Sequence, residues 1–379
     1  MLHNQRDKFS LPEGVHYLNC ASRAPLLKTT EAVGIRGLRN QEYPVAAAPE
    51  DYFAEPEALR AAISRLVNCE ANDVALTPSV SYGVAIAAHN VQLTSAHNIV
   101  FVEEEFPSNV YAWLELAKST GATIKQVPRA ASASDWNTRL LEAIDGNTAV
   151  VSLSSVHWTD GTRFDLDAVG TRCREMGALF VLDGTQSIGA QTLDFQQIQP
   201  DLLVGAAYKW IFGPYQLGYA VVGERLRNGK PFENHWSTRA GSQDTSNTAY
   251  HPDYFPGARR FDVGEQGNPI SVPMLTNSLA QLQEWGVDAV SAYCASLADH
   301  LAAGLYEQHF SLPSSTDRYS HILGIRAHNP AHIQPALDAM AERRISISRR
   351  GNVLRVSPNV YNTTDDIDAV LDALQSVAT

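Results

Sequence analysis

The sequence predicts an α/β fold built on a largely parallel sheet, and three observations carry that reading. Short, continuously apolar runs alternate with amphipathic stretches of helical period along much of the chain. The apolar runs have no polar face, as expected of strands that helices cover on both sides. Beyond about residue 270 the pattern turns to helices with short strands, which predicts a second, smaller α+β unit.

In chain order, residues 55–67 place Leu59, Ile63 and Leu66 on one helical stripe. N-I-V-F-V at 98–102 reads as a buried strand, and residues 111–119 as the helix that follows it. A-V-V-S-L at 149–153 is the next buried strand. A helix over 166–176, stopped by Gly177, leads into the strand A-L-F-V-L at 178–182. The runs at 202–205 and 219–222 complete the series. Residues 228–268 are rich in Gly, Ser, Asn, Pro and aromatics with little periodicity, and read as a long ordered loop between units. Helices near 274–285 and 287–309, short strands and a terminal helix after Thr364 follow. T-T-D-D at 363–366 is an N-cap pattern with its acids near the positive end of the helix dipole. The expected division is an N-terminal segment 1–25, a large domain 26–260 and a small domain 261–379.

The 379 residues exceed what one compact core usually covers, and 44% apolar with 18% charged residues is an ordinary globular composition. Lys and Arg total 29 against 41 acidic residues, a formal charge of −12, which argues against a phosphate-backbone binder and so against nucleic acid. No run of about 18 apolar residues marks a membrane span, and the N-terminus shows no apolar signal-peptide region. Cys20, Cys69, Cys173 and Cys294 are scattered without a C-x-x-C pair, which suits reduced thiols better than a disulfide frame or a metal site. A cytoplasmic enzyme acting on small molecules is the expectation.

The chemistry concentrates in D-G-T-Q-S-I-G at 183–189 and P-D-L-L-V-G-A-A-Y-K-W-I-F-G-P at 200–214. Asp183 ends one buried strand and Lys209 follows the next, so both point into the crevice beyond the carboxyl ends of the strands. A lysine that holds an aldehyde and an acid that keeps a ring nitrogen protonated are what a pyridoxal cofactor needs. Lys209 is the expected Schiff-base residue and carrier of the Cα proton, and Asp183 the expected ring partner. Gln186 is placed to reach the cofactor's phenolic oxygen.

On these two stretches the chain resembles the class V aminotransferase family of fold-type I pyridoxal-phosphate enzymes. That family includes cysteine desulfurases, kynureninases and isopenicillin-N-epimerase-like proteins. The resemblance implies a mostly parallel seven-stranded sheet in the large domain, a small α+β C-terminal domain, and an N-terminal segment that lines the site and packs on that small domain. It also implies pyridoxal 5′-phosphate, an amino-acid substrate and a homodimer with active sites at the subunit interface.

Further landmarks follow the same pattern. Y-L-N-C-A-S at 17–22 resembles the family's opening segment beside the substrate, which brings in Asn19. T-P-S-V-S-Y-G at 77–83 resembles the phosphate loop, where Ser81 offers a hydroxyl and the N–H groups of Val80 and Ser81 sit at a helix N-terminus. E-F-P-S-N at 105–109 resembles the kynureninase segment whose aromatic stacks on the pyridine ring, here Phe106. V-H-W-T-D-G at 156–161 makes Trp158 or His157 a candidate pocket residue, with plain packing an equal alternative for His157. Tyr208 is expected at the phosphate, whereas Ala206 stands where relatives often have Ser or Cys. G-E-Q-G-N-P at 264–269 resembles the loop that reaches the partner's cofactor phosphate, with Asn268 as its ligand. His235, Trp236 and Arg239 are weaker candidates.

V-L-R-V-S-P-N-V-Y-N-T at 353–363 matches the signature whose arginine grips the substrate α-carboxylate, so Arg355 is the expected anchor. Arg349 and Arg350 read either as solvated or as contacts to a second substrate carboxylate. The stretch 343–353 carries no cysteine, which disfavours a desulfurase of the usual kind. The expected enzyme is an aminotransferase, with a C–S or C–C lyase or an epimerase as the alternative.

Overall fold

The computed structural model describes residues 2–46 and 51–377. The chain opens with β1 (His16–Tyr17), α1 (Lys28–Glu42) and α2 (Asp51–Val67). An α/β series follows: β2 (Val74–Thr77), α3 (Val80–Asn90), β3 (Asn98–Val102), α4 (Tyr111–Thr120), β4 (Thr123–Val127), α5 (Ala133–Ala143), β5 (Thr148–Ser154), α6 (Leu166–Met176), β6 (Leu179–Asp183), the one-turn α7 (Phe195–Ile198), β7 (Leu202–Ala206) and β8 (Gly218–Val222). The last third contains α8 (Ser271–Trp285), α9 (Val287–Gly304), β9 (Phe310–Ser311), β10 (Leu323–Ala327), α10 (Ile333–Glu342), β11 (Ile345–Ser346), β12 (Ser348–Arg350), β13 (Val353–Val356) and α11 (Thr364–Gln375).

Seven strands form one sheet in the order β2-β8-β7-β6-β5-β3-β4, in which β8 alone runs antiparallel to the other six. Side chains alternate between two cores. Ile99 and Phe101 of β3 join Leu179 and Val181 of β6 on one face, while Val100 and Val102 join Phe180 and Leu182 on the other. Period-two alternation thus buries every residue of these strands, because each face has its own layer of helices.

The expected mostly parallel seven-stranded sheet is observed, and two of its strands were not foreseen. The edge strand β4 is T-I-K-Q-V, and its Lys125 is paired with Asp145 at 2.6 Å, so it lacks an apolar run. The short V-A-L-T of β2 merges by pattern with the preceding helix. The helix expected over 287–309 stops at Gly304, where a Cβ would lie 2.4 Å from Leu371 of α11. The N-cap at 363–366 is a capping box, with Asp366 accepting from the Thr363 N–H at 2.9 Å.

A second, antiparallel sheet has the order β12-β13-β10-β9, and a separate core lies beneath it, drawing on α9, α10 and α11. The N-terminal segment is tied to this sheet's side of the molecule. β1 pairs in parallel with β11, Leu18 is buried in the same core, and Ser357 donates its N–H to the Leu18 carbonyl at 2.8 Å. All four cysteines are unpaired. Among the described residues no helix is long and apolar enough to cross a membrane, and no cluster of His, Cys, Asp or Glu has the makings of a metal site.

Candidate active site

The carboxyl edges of β5, β6 and β7 lie side by side, with Ser154 in register with Asp183 and Asp183 with Val204. A cavity of about 270 Å³ opens there, and both Asp183 and Lys209 line it. Helix α3 brings its N-terminus to the same cavity by packing tightly on the sheet: at Gly83 a Cβ would meet Val204 at 2.5 Å. A side chain at this position would push the helix off the strand.

Asp183 is 6% exposed and doubly held, accepting from the Thr185 N–H at 2.8 Å and from Asn109 Nδ2 at 3.0 Å. The Asn109 amide also donates to Ser154 Oγ and Glu105, tying a second buried carboxylate into the network. Burial pushes the Glu105 carboxyl above its ordinary value, and hydrogen bonds from Ser154 and the Phe106 N–H work against that rise. The Asp183 carboxylate is therefore oriented before any ligand arrives.

Lys209 is 6% exposed, and no carboxylate of the described residues pairs with its amine. Burial pulls this amine down to about 8, opposed by the Asp183 charge and assisted by the positive charges of Arg355 and Arg350. Its Nζ lies 5.6 Å from the Phe106 ring centre, and Phe106 meets Trp158 edge-on with centroids 5.5 Å apart. Trp158 is fixed by donating Nε1–H to the Glu104 carbonyl at 2.7 Å. Together they form an aromatic wall of the cavity.

The residues fit a phosphorylated pyridine carbaldehyde. At the N-terminus of α3, Ser79 caps by accepting from the Tyr82 N–H, while Val80 and Ser81 line the cavity with their N–H groups free of intrahelical partners. Thr185 Oγ1 is buried at the cavity without a partner, an orphaned polar atom that a bound ligand would satisfy. Tyr208 stacks on Tyr215 at 4.0 Å, and both line the cavity beside Ala206. The Gln186 side chain donates to the Ala21 carbonyl and accepts from Trp210 Nε1, which leaves one amide hydrogen for a ligand.

Arg355 is 1% exposed, and it donates to Trp158 O at 2.6 Å, Ser22 Oγ at 2.8 Å and Ser348 Oγ at 3.1 Å. Through Trp158 it adjoins the cavity wall. Its guanidinium is pushed down to about 9 by burial and the neighbouring Arg350, and remains charged at neutral pH.

Lys209, Asp183, Gln186, Phe106, Trp158, Tyr208, Val80 and Ser81 all come together at one cavity. Other candidates lie elsewhere. His157 is wholly buried between Trp136 and Phe164, hydrogen-bonded to Thr159, in a network with Asp160 and Arg129. Asn19 is half-buried, with its Oδ1 enclosed and unpartnered. Asn268 is exposed and caps α8 through the N–H groups of Ile270 and Ser271. His235, Trp236 and Arg239 border a separate cavity in the irregular segment. Sequence reasoning did not single out Asn109, Ser22, Ser154 or Tyr215. Asn109 and Ser22 stand inside motifs that were recognised, so their signal was adjacency; Tyr215 had none.

Comparison with known proteins agrees in scope with this geometry. The sequence model described as Aminotransferase class-V matches residues 45–370. Isopenicillin N epimerase of Streptomyces clavuligerus is 25% identical over 400 residues, covering 98% of this chain and 97% of that protein. Kynureninase of Burkholderia mallei is 26% identical, over 79% of this chain and 72% of its own length. Among solved structures, the cystine C-S lyase C-DES in complex with its product cysteine persulfide superposes with a TM-score of 0.85 at 19% identity, over 96% of this chain and 97% of that one.

Proposed function

We propose, for a chain that belongs to the class V aminotransferase family and whose cofactor is pyridoxal 5′-phosphate, that it is an aminotransferase acting on a small amino acid. The observation that carries this reading is the pairing of Lys209 with Asp183 in one cavity whose lining has no other Lys, His or Cys among the described residues. A single amine there suits a reaction in which one group both takes and returns a proton. When bound, the cofactor supplies an aldehyde and a pyridine ring that acts as an electron sink.

The chain's own residues divide the remaining work. Arg355 holds the substrate carboxylate by its two free terminal N–H groups, which fixes Cα relative to Lys209. Lys209 Nζ moves the Cα proton; an amine lowered to about 8 is in its basic form for an appreciable fraction of the time near neutral pH, as an ordinary lysine is not. Asp183 would hold the ring nitrogen of the cofactor and favour its protonated form, and Asn109 positions that carboxylate. Phe106 and Trp158 wall the cavity, with the Phe106 ring beside the amine. The proposal includes a homodimer in which Asn268 serves the partner's site, and the mass in solution checks it.

The deciding experiment is a product analysis by mass spectrometry over an amino-acid panel, with and without a keto-acid acceptor. Acceptor-dependent keto-acid formation is expected. Fragment release without an acceptor would identify a lyase, and deuterium uptake at Cα with no net conversion would identify an epimerase.

The state of Lys209 has its own signature. Apoprotein should capture pyridoxal phosphate at a rate that rises with pH and levels off just above pH 8, because only the free amine attacks an aldehyde. A rate still climbing near pH ~10 would mark an ordinary solvated lysine. Stopped-flow absorbance reads this directly.

A further inference from the structure

Beside the carboxylate anchor stands a second arginine. Arg350 ends β12, five residues before Arg355 on the neighbouring antiparallel strand β13. Its Nη2 donates to Ser22 Oγ at 3.3 Å, the same hydroxyl that Arg355 Nη2 reaches at 2.8 Å. Its guanidinium carbon lies 5.3 Å from the centre of the Trp158 ring, which lines the cavity. Two cations therefore converge on one neutral oxygen. No carboxylate of the described residues lies within 4.0 Å of either guanidinium.

Counting donors separates the roles of the two. A guanidinium has five N–H donors. Arg355 uses one on each of its three nitrogens, which leaves one on each terminal nitrogen, the fork that one carboxylate needs. Arg350 uses one on Nη1, to the Arg349 carbonyl at 2.8 Å, and one on Nη2. Its Nε is buried and has no partner. Arg350 thus retains Nε–H together with a free hydrogen on Nη2, a second complete fork. An enclosed, unpaired donor on a half-buried cation beside another cation is costly in the empty protein, and an anion relieves both the desolvation and the repulsion. The repulsion is felt along the site: Arg350 lowers the Arg355 guanidinium, and both lower the Lys209 amine.

We propose that Arg350 and Arg355 form a two-guanidinium clasp, so that the preferred substrate is an amino acid whose side chain carries a second anionic group, a carboxylate or a like-shaped sulfinate. This rests on the functional reading above, with Arg355 taking the α-carboxylate. Arg350 is then the residue that determines specificity, and Ser22 is the positioning residue that sets the two forks at a fixed separation. The Trp158 ring faces the Arg350 guanidinium, and the Trp158 carbonyl holds Arg355.

The test uses holoenzyme and unreactive probes, so that it reads binding rather than turnover. By isothermal calorimetry, glutarate and succinate are compared with the monocarboxylate butyrate, for the wild-type chain and for Arg350→Gln. In the wild type one dicarboxylate should bind at least about tenfold more tightly than butyrate, the equivalent of about 1.4 kcal/mol. Arg350→Gln should reduce that preference to within about twofold, losing far more affinity for the dicarboxylate than for butyrate, with the cofactor retained. Equal binding of mono- and dicarboxylates by the wild type would overturn the proposal. So would an equal loss for both probes in Arg350→Gln, which would mean that the two arginines share a single carboxylate. Failure of the parent reading shows elsewhere: amino acids would leave the cofactor spectrum unaltered, whatever the dicarboxylate preference.

Discussion

Replacing Lys209 by alanine abolishes the borohydride-fixed cofactor adduct and slows deuterium exchange at the substrate Cα by ~10³-fold. The amine is the only one lining the cavity among the described residues, so no neighbour can substitute for it. The fold should tolerate the change. Lys209 is a desolvated cation without a paired carboxylate, and its removal takes away an unfavourable burial rather than a stabilising contact. A melting temperature at or above that of the wild type, together with loss of the adduct on tryptic mass mapping, is the expected pair of results. An adduct that persists at full yield would place the reactive amine elsewhere and remove the basis of the functional reading.

Arg355 makes the second large effect. Arg355→Lys should raise KM for amino-acid substrates by ~10²-fold, because an ammonium keeps the charge but not the planar fork. Arg355→Ala should cost about 2–5 kcal/mol of substrate binding. It also strands two acceptors, Trp158 O and Ser348 Oγ, while Ser22 Oγ keeps only its longer bond from Arg350, so some loss of thermal stability accompanies it. The lysine variant is the cleaner probe for that reason. Cofactor affinity, measured by dialysis and absorbance, should stay close to wild type in both. Parallel losses of cofactor and substrate would make Arg355 a structural arginine that holds the N-terminal segment against β13.

How far the site was legible depended on the range of the interactions that make it. Lys209 and Asp183 were readable because each follows directly from the end of a buried strand, and the ends of adjacent strands necessarily meet. Val80 and Ser81 were readable for the same reason at a helix N-terminus. His157 and Trp158 were not separable in sequence. In the fold they diverge, His157 into the core beside Trp136 and Trp158 over the cavity, since consecutive side chains leave the backbone in different directions. Gln186 was expected to reach the cofactor's phenolic oxygen; two of its groups are engaged by Ala21 and Trp210, which the sequence did not indicate, and one amide hydrogen is left for a ligand. Those partners lie 165 residues before it and 24 residues after it.

The sequence alone determined the α/β class, the family and its cofactor, and the strand-end pair of Lys209 and Asp183, because hydrophobic period and short motifs are local properties. The tertiary structure decided the rest. Ser22 meets Arg350 and Arg355 only because β1 adds to β11 and ties the N-terminus to the second sheet, across more than 320 residues of chain. Asn109 reaches Asp183 only because β3 and β6 flank β5 in the sheet. Hydrogen-bond partners and unpaired charges follow from packing between distant segments, and no local pattern in one sequence encodes which distant groups will meet.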